Sequence, residues 1–133
     1  MRINVCYLHK NLPELFSKTG DSGYDLRAAI ERTLTIQAKG IATSPSGIAV
    51  EVTDTPINDC LSVEIQIRPR SGLTKNGIVA QFGTVDASYR GELKVNVFNF
   101  NDHDVVIQPL DRIAQLVVCP IYKPDVCSVE TLS

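Results

Sequence analysis

The run Leu61-Ser62-Val63-Glu64-Ile65-Gln66-Ile67-Arg68 puts an aliphatic residue at every second position and a polar one between. Successive side chains of a β-strand leave on opposite faces, so this period fits a strand with one face in a core. The same period recurs through the chain. Ile3, Val5 and Tyr7 share a face, as do Leu34 and Ile36, then Ile48, Val50 and Val52 after the turn Ser44-Pro45-Ser46-Gly47, then Leu93, Val95 and Val97. Asn101-Asp102-His103-Asp104 reads as a turn ahead of Val105-Val106-Ile107. The run from Ile113 to Ile121 is too continuously apolar for a one-sided strand and is expected to be buried on both faces. With no long amphipathic helical pattern anywhere, the chain is expected to be all-β, a sandwich, jelly roll or barrel of many short strands.

One stretch breaks the alternation. Pro69-Arg70-Ser71-Gly72-Leu73-Thr74-Lys75-Asn76-Gly77 reads as a single short helix, with Ser71 as N-terminal cap and Gly77 as a left-handed stop. Asn76-Gly77 also suits a type I′ turn. Between two further strand-like runs, Gly83-Thr84-Val85-Asp86-Ala87-Ser88-Tyr89-Arg90-Gly91-Glu92 reads as a hairpin carrying an acid and an aromatic ring at its tip. The plainer reading is an ordinary polar surface hairpin.

A length of 133 residues suits one domain with its own core. The net charge of -2 provides no basic field for a nucleic-acid polymer, whereas a single nucleotide needs only a few local cations and amides. No apolar run is long enough to span a bilayer, and Met1-Arg2-Ile3-Asn4-Val5 leads directly into strand-like sequence without the apolar core of a secretory signal. A cytoplasmic location without a membrane partner is the expectation. Cys6, Cys60, Cys119 and Cys127 are scattered without a CxxC pair, which argues against structural zinc and for buried free thiols.

The sequence has no GxSxG, GxGxxG, Walker loop or HExxH. His9 and His103 lie in polar surroundings and read as solvated. Arg70-Ser71-Gly72 joins a guanidinium, a hydroxyl and the free N–H groups of a helix start, which together make a phosphate cradle; a plain helix cap is the alternative. Gly20-Asp21-Ser22-Gly23-Tyr24-Asp25-Leu26-Arg27 is a second loop with an acid and a base, and an internal Asp25–Arg27 ion pair would account for it equally. Asp111-Arg112-Ile113-Ala114-Gln115-Leu116 could be an exposed pair at a strand entrance followed by core.

In order and spacing, these stretches resemble the motifs of the trimeric dUTPase family. The resemblance rests on Ser22-Gly23-Tyr24-Asp25-Leu26-Arg27-Ala28-Ala29, Pro69-Arg70-Ser71-Gly72-Leu73, Val85-Asp86 with Tyr89-Arg90-Gly91-Glu92, and Asp111-Arg112-Ile113-Ala114-Gln115-Leu116. It runs from about Gly20 to Tyr122 and implies a β jelly roll, or distorted β-barrel, with one short helix, assembled as a homotrimer with active sites between subunits. It also implies hydrolysis of dUTP to dUMP and pyrophosphate, which lowers dUTP and supplies dUMP for thymidylate synthesis.

In that resemblance Asp86 is the general base that directs water at the α-phosphorus. Arg70, Ser71, Gly72 and Gln115 hold the phosphates. Gly83, Thr84 and Val85 read uracil through the main chain, Tyr89 packs on the sugar and excludes a ribose hydroxyl, and Lys94 is a further substrate contact. Mg²⁺ is the implied cofactor, with Asp25 reached only through a metal-bound water. The chain departs from the family pattern at Leu110, where a glycine is common, and at Ala80, where relatives often carry asparagine or glycine. A glycine-rich fifth motif would begin beyond Ser133. The expectation is a single domain over 1–133 that binds dUTP but hydrolyses it poorly without that arm.

Two other readings share the β patterning. A dCTP deaminase of the same fold needs a glutamate on the following strand, and its place falls near Asn96, whose amide cannot serve as an acid or base. A trimeric jelly-roll module that only binds would have no need of Asp86, Tyr89 and Ser71 together.

Overall fold

The computed structural model describes residues 1–54 and 61–133. Its strands are β1 (Arg2–Tyr7), β2 (Tyr24–Arg27), β3 (Leu34–Ile36), β4 (Ile41–Pro45), β5 (Ile48–Thr53), β6 (Leu61–Arg68), β7 (Ile78–Ala80), β8 (Gly83–Asp86), β9 (Lys94–Asn99), β10 (Val105–Ile107) and β11 (Arg112–Tyr122), and the helix α1 (Ser71–Thr74) lies between β6 and β7. All pairings are antiparallel and most join strands distant in sequence. One sheet runs β2-β11-β6-β8, a second β4-β9-β7, and β1-β5 and β10-β3 form two smaller ladders. Among the described residues the result is an all-β jelly roll with one short helix.

Alternation becomes burial in β6, where Val63, Ile65 and Ile67 are buried and the polar residues between them stay half-exposed. Ile65 and Ile67 meet Leu26, Val95, Val97 and Leu116 in a common core. The first half of β11 is buried on both faces through Ile113, Ala114, Leu116 and Val117. Beyond Val118 the strand emerges, and Tyr122 is exposed. Burial on both faces thus holds for the first half of the run alone.

Several expectations need correction. The strands on either side of residues 87–92 do not form a hairpin with each other: β8 pairs with β6, while β9 pairs with β4 and β7. The segment therefore crosses from one sheet to the other, with a tight turn in which Tyr89 N–H donates to the Asp86 carbonyl at 3.0 Å. Ser71 is the first helical residue and not the cap, a place taken by Arg70 with no side-chain hydrogen bond to the helix. Gly77 does adopt a left-handed φ of 73°, and it follows the helical segment instead of sitting in a two-residue hairpin turn. Tyr24–Arg27 is a strand, not part of a loop. Cys6 and Cys127 are exposed free thiols, Cys119 is half-buried, and Cys60 lies outside the described residues. His9 and His103 are exposed, as expected.

Asn99 shows how the turn at 101–104 is fixed. Its buried amide donates to the carbonyls of Ile36 (3.1 Å), Gln37 (3.0 Å) and His103 (2.8 Å), and its oxygen accepts the Asn101 N–H at 3.0 Å.

Leu110 has a φ of 66°, the region that disfavours a Cβ. A glycine at this place in the family pattern thus has a conformational cause. Leu110→Gly is expected to change stability by less than about 1 kcal/mol, since relief of roughly 1–2 kcal/mol of strain is offset by the greater freedom glycine gives the unfolded chain and by the loss of a partly covered side chain. Thermal unfolding checks this, and a Tm lowered by more than a few degrees would count against strain at this turn.

Candidate active site

Asp25 on β2 ties three of the sequence stretches together. Arg70 Nε lies 2.9 Å from its Oδ1 and Arg112 Nη1 lies 3.4 Å from its Oδ2. Arg70 also donates to the Arg112 carbonyl at 3.3 Å, and Gln115 Nε2 donates to the Pro69 carbonyl at 3.0 Å. The register of the sheet explains the meeting, because Asp25, Gln115 and Arg68 are neighbours across β2, β11 and β6. The local Asp25–Arg27 pair does not form, since Arg27 donates instead to the Leu110 carbonyl at 2.9 Å. Gly23 is required here: a Cβ would lie 2.9 Å from both Gln115 Oε1 and the Leu116 carbonyl.

Around this knot lies a cavity of about 710 Å³, lined by Asp25, Arg70, Ser71, Gly72 and Gln115 among others. Lys18, Arg27, Arg68, Arg70 and Arg112 line it against only two carboxylates, Asp21 and Asp25. Such a surplus of cations suits a polyanion, since guanidinium groups match phosphate oxygens in geometry and charge. Arg68, Arg112, Arg27 and Lys18 were not singled out as site residues from the sequence. The Asp25–Arg112 contact spans 87 positions, so no local pattern carries it.

A second cavity, of about 360 Å³, lies beside β8 and is lined by Thr84, Val85, Asp86, Tyr89, Glu92 and Lys94, with Ile67 and Leu93 at its floor. Thr84, Asp86 and Lys94 are exposed, and Tyr89 is 46% exposed. The structure thus groups Asp86, Thr84, Val85, Tyr89 and Lys94, with Gly83 at the start of the same strand. It separates them from Arg70, Ser71, Gly72 and Gln115. Asp86 is level with Glu64 on β6, four residues from Arg68, and β8 and β2 are opposite edges of the sheet. Strand rise and spacing put Asp86 roughly 20 Å from Asp25.

Among the described residues no three His, Cys, Asp or Glu side chains converge as a metal cage. Each oxygen of Asp25 already faces an arginine, which suits a contact to a metal-bound water better than direct ligation. Asn96 is tied to Thr43 (2.7 Å) and to Gln81 (2.8 Å) and lines neither cavity.

The larger cavity, with five cations against two carboxylates, is the candidate phosphate site, and the smaller one holds the exposed Asp86 and Tyr89. Residues 13–133 match the family model for dUTPase. The deoxyuridine 5'-triphosphate nucleotidohydrolase of Chlamydia pneumoniae is 41% identical over 113 residues, 83% of this chain and 72% of that protein. The enzyme of the same name from Aquifex aeolicus is 43% identical over 108 residues, 79% of this chain and 67% of that one. In structure, the dUTPase of Staphylococcus bacteriophage 80alpha superposes with a TM-score of 0.86 at 22% identity, covering 98% of this chain and 97% of that chain. The dUTPase of S. aureus phage phi11, described with a structural Mg(II) ion, gives 0.85 at 22% identity over 99% of both chains. The chain belongs to the dUTPase family, the dUTP diphosphatases.

Proposed function

We propose that this chain hydrolyses dUTP to dUMP and pyrophosphate at a site completed by a second copy of itself. The observation that carries the reading is the separation of the two cavities. A base acting at the α-phosphorus must lie within hydrogen-bond reach of the attacking water, and the phosphates must lie within reach of their cradle. Across roughly 20 Å of one sheet, a single nucleotide satisfies both only if the two halves come from different chains. A homotrimer with shared sites meets that need.

In this reading Asp86 accepts the proton of a water aimed in line at the α-phosphorus. A carboxylate is a weak base, so its main contribution is to position that water while cations stabilise the charge on the phosphoryl oxygens. Arg70, Ser71, Gly72 and Gln115 of the other copy hold the triphosphate. A Cβ at Gly72 would meet nothing within 4 Å, so packing inside the chain does not require glycine there. Close approach of a phosphate to bare backbone does. Mg²⁺ bound to the triphosphate would neutralise charge and fix its shape, with Asp25 holding one of its waters.

Main-chain groups of Gly83, Thr84 and Val85 read the uracil edge, Tyr89 packs on the deoxyribose, and Lys94 lies beside them. A backbone close to C5 leaves no space for the methyl group of thymine. Tyr89 in the same way leaves none for a 2′-hydroxyl. The surplus of cations is local, within a chain of net charge -2, and fits a nucleotide rather than a nucleic-acid polymer. No helix among the described residues is long and apolar enough to cross a membrane. Function on dUTP in the cytoplasm fits both features.

Incubation with dUTP and Mg²⁺ is expected to release pyrophosphate and dUMP in equal amounts, slowly for residues 1–133 alone, and incubation with dCTP to release no ammonia. Ammonia from dCTP without pyrophosphate from dUTP would replace this reading with a deaminase, and binding of dUTP without either product would leave a binding module.

A further inference from the structure

The tip of the 87–92 segment has its own packing. The Tyr89 hydroxyl donates to the Glu92 carbonyl at 3.1 Å, which curls the ring back over the intervening Gly91. A Cβ at Gly91 would overlap the hydroxyl oxygen and come within 2.6 Å of Cζ and 3.2 Å of Cε2. Real Cβ atoms do not approach that closely, so the ring occupies the space a side chain at 91 would need. The backbone does not demand glycine here, because Gly91 is not among the residues with positive φ.

We infer that Gly91 is a specificity-determining position, which sets the choice between deoxyribonucleotide and ribonucleotide by seating the ring of Tyr89. The inference rests on the reading of Tyr89 as the wall against the sugar. A wall excludes a hydroxyl group only while its place is fixed, since discrimination by steric exclusion disappears once the wall can yield. Gly91 leaves the ring room to lie close to the backbone, and the Glu92 carbonyl holds its tip.

Substitution should move the ring and little else. The overlap is with the tip of one side chain that is 46% exposed, so the ring can swing outward into solvent. The rest of the segment is anchored independently. Arg90 Nη2 lies 3.0 Å from Glu51 Oε1, Glu92 Oε1 accepts the Gly47 N–H at 2.9 Å, and Leu93 N–H donates to the Ile48 carbonyl at 2.9 Å. Asp86 stays on β8, paired with Glu64. Gly91 is therefore a positioning residue, and its loss should alter which sugar is accepted more than the rate of the chemical step.

The test is kcat/KM for dUTP and for UTP in the original protein, Tyr89→Ala, Gly91→Ala and the double variant, with thermal melts alongside. Tyr89→Ala is expected to narrow the dUTP/UTP ratio roughly tenfold or more, and Gly91→Ala to narrow it by a similar factor with kcat for dUTP largely kept. In the Tyr89→Ala background Gly91→Ala should add nothing, because the ring it displaces is gone. If Gly91→Ala fails to fold alone but folds beside Tyr89→Ala, the overlap is confirmed by that rescue. An unchanged ratio in folded Gly91→Ala, equal narrowing in both backgrounds, or a double variant that also fails to fold overturns the inference. Should Tyr89→Ala itself leave the ratio unchanged, the reading of Tyr89 as sugar wall fails, and the role of Gly91 with it.

Discussion

Asp86→Asn is expected to lower dUTP turnover by roughly two to four orders of magnitude, the range for losing a positioned base, with nucleotide affinity nearly unchanged. The amide is close to the carboxylate in size and can still bind water, but it cannot take the proton. No hydrogen bond or ion pair of the Asp86 side chain contributes to the described fold, and the residue is exposed at the end of β8. Stability should therefore be untouched, and the loss should fall on kcat. Binding of a non-hydrolysable dUTP analogue by titration calorimetry, next to turnover, separates the two. Near-original turnover in a folded variant would remove Asp86 from the reaction.

The second large effect is expected at Arg70. Arg70→Ala removes a guanidinium from the phosphate cavity and releases one oxygen of Asp25, leaving that carboxylate with Arg112 alone. A charge-assisted contact to a phosphoryl oxygen is worth most in the transition state, so kcat/KM is expected to fall roughly 100- to 1,000-fold. Arg70→Lys should recover little, since an ammonium cannot reproduce a planar fork that meets both Asp25 and a phosphate. The Asp25 pair is about one-third exposed, so its own share of stability is small. Parallel melts and steady-state kinetics check this. A large loss of stability with kcat/KM preserved would make Arg70 a structural residue only.

How far the sequence led depends on the range of the interaction involved. In β6 the polar and apolar positions declare the buried face, because strand periodicity acts between adjacent residues. β11 could be recognised as central by its unbroken apolar run, although the run continues past Val117, where the strand becomes more exposed. Periodicity says which face a strand buries but not which strand lies beside it. Residues 83–86 and 94–99 therefore looked like two arms of one hairpin, although they belong to different sheets. β2 escaped notice because Tyr-Asp-Leu-Arg offers one buried residue, Leu26, in four.

The candidate site was read residue by residue from its resemblance to a family, and the structure adds what motifs cannot carry. Arg112 and Asp25 meet only because β11 and β2 are neighbours, and the cationic surplus around Arg70 gathers side chains from residues 18 to 112. Exposure of Cys6 follows from its place on β1, where alternation puts it on the face of Arg2 and Asn4, opposite Ile3 and Val5, so the sequence pattern itself spoke against a buried thiol. The distance between the two cavities was likewise hidden, because it depends on sheet order.

That distance leads to the most direct test. Asp86→Asn and Arg70→Ala chains, each almost inactive alone, are refolded together in equal amounts. If every site joins β8 of one copy to the Arg70 cavity of another, random trimers place an intact Asp86 opposite an intact Arg70 in about one site in four, and activity returns to roughly that share of the original. If mixing yields no more activity than the two parents, the halves of the site do not come from different chains, and the account of a shared active site is wrong.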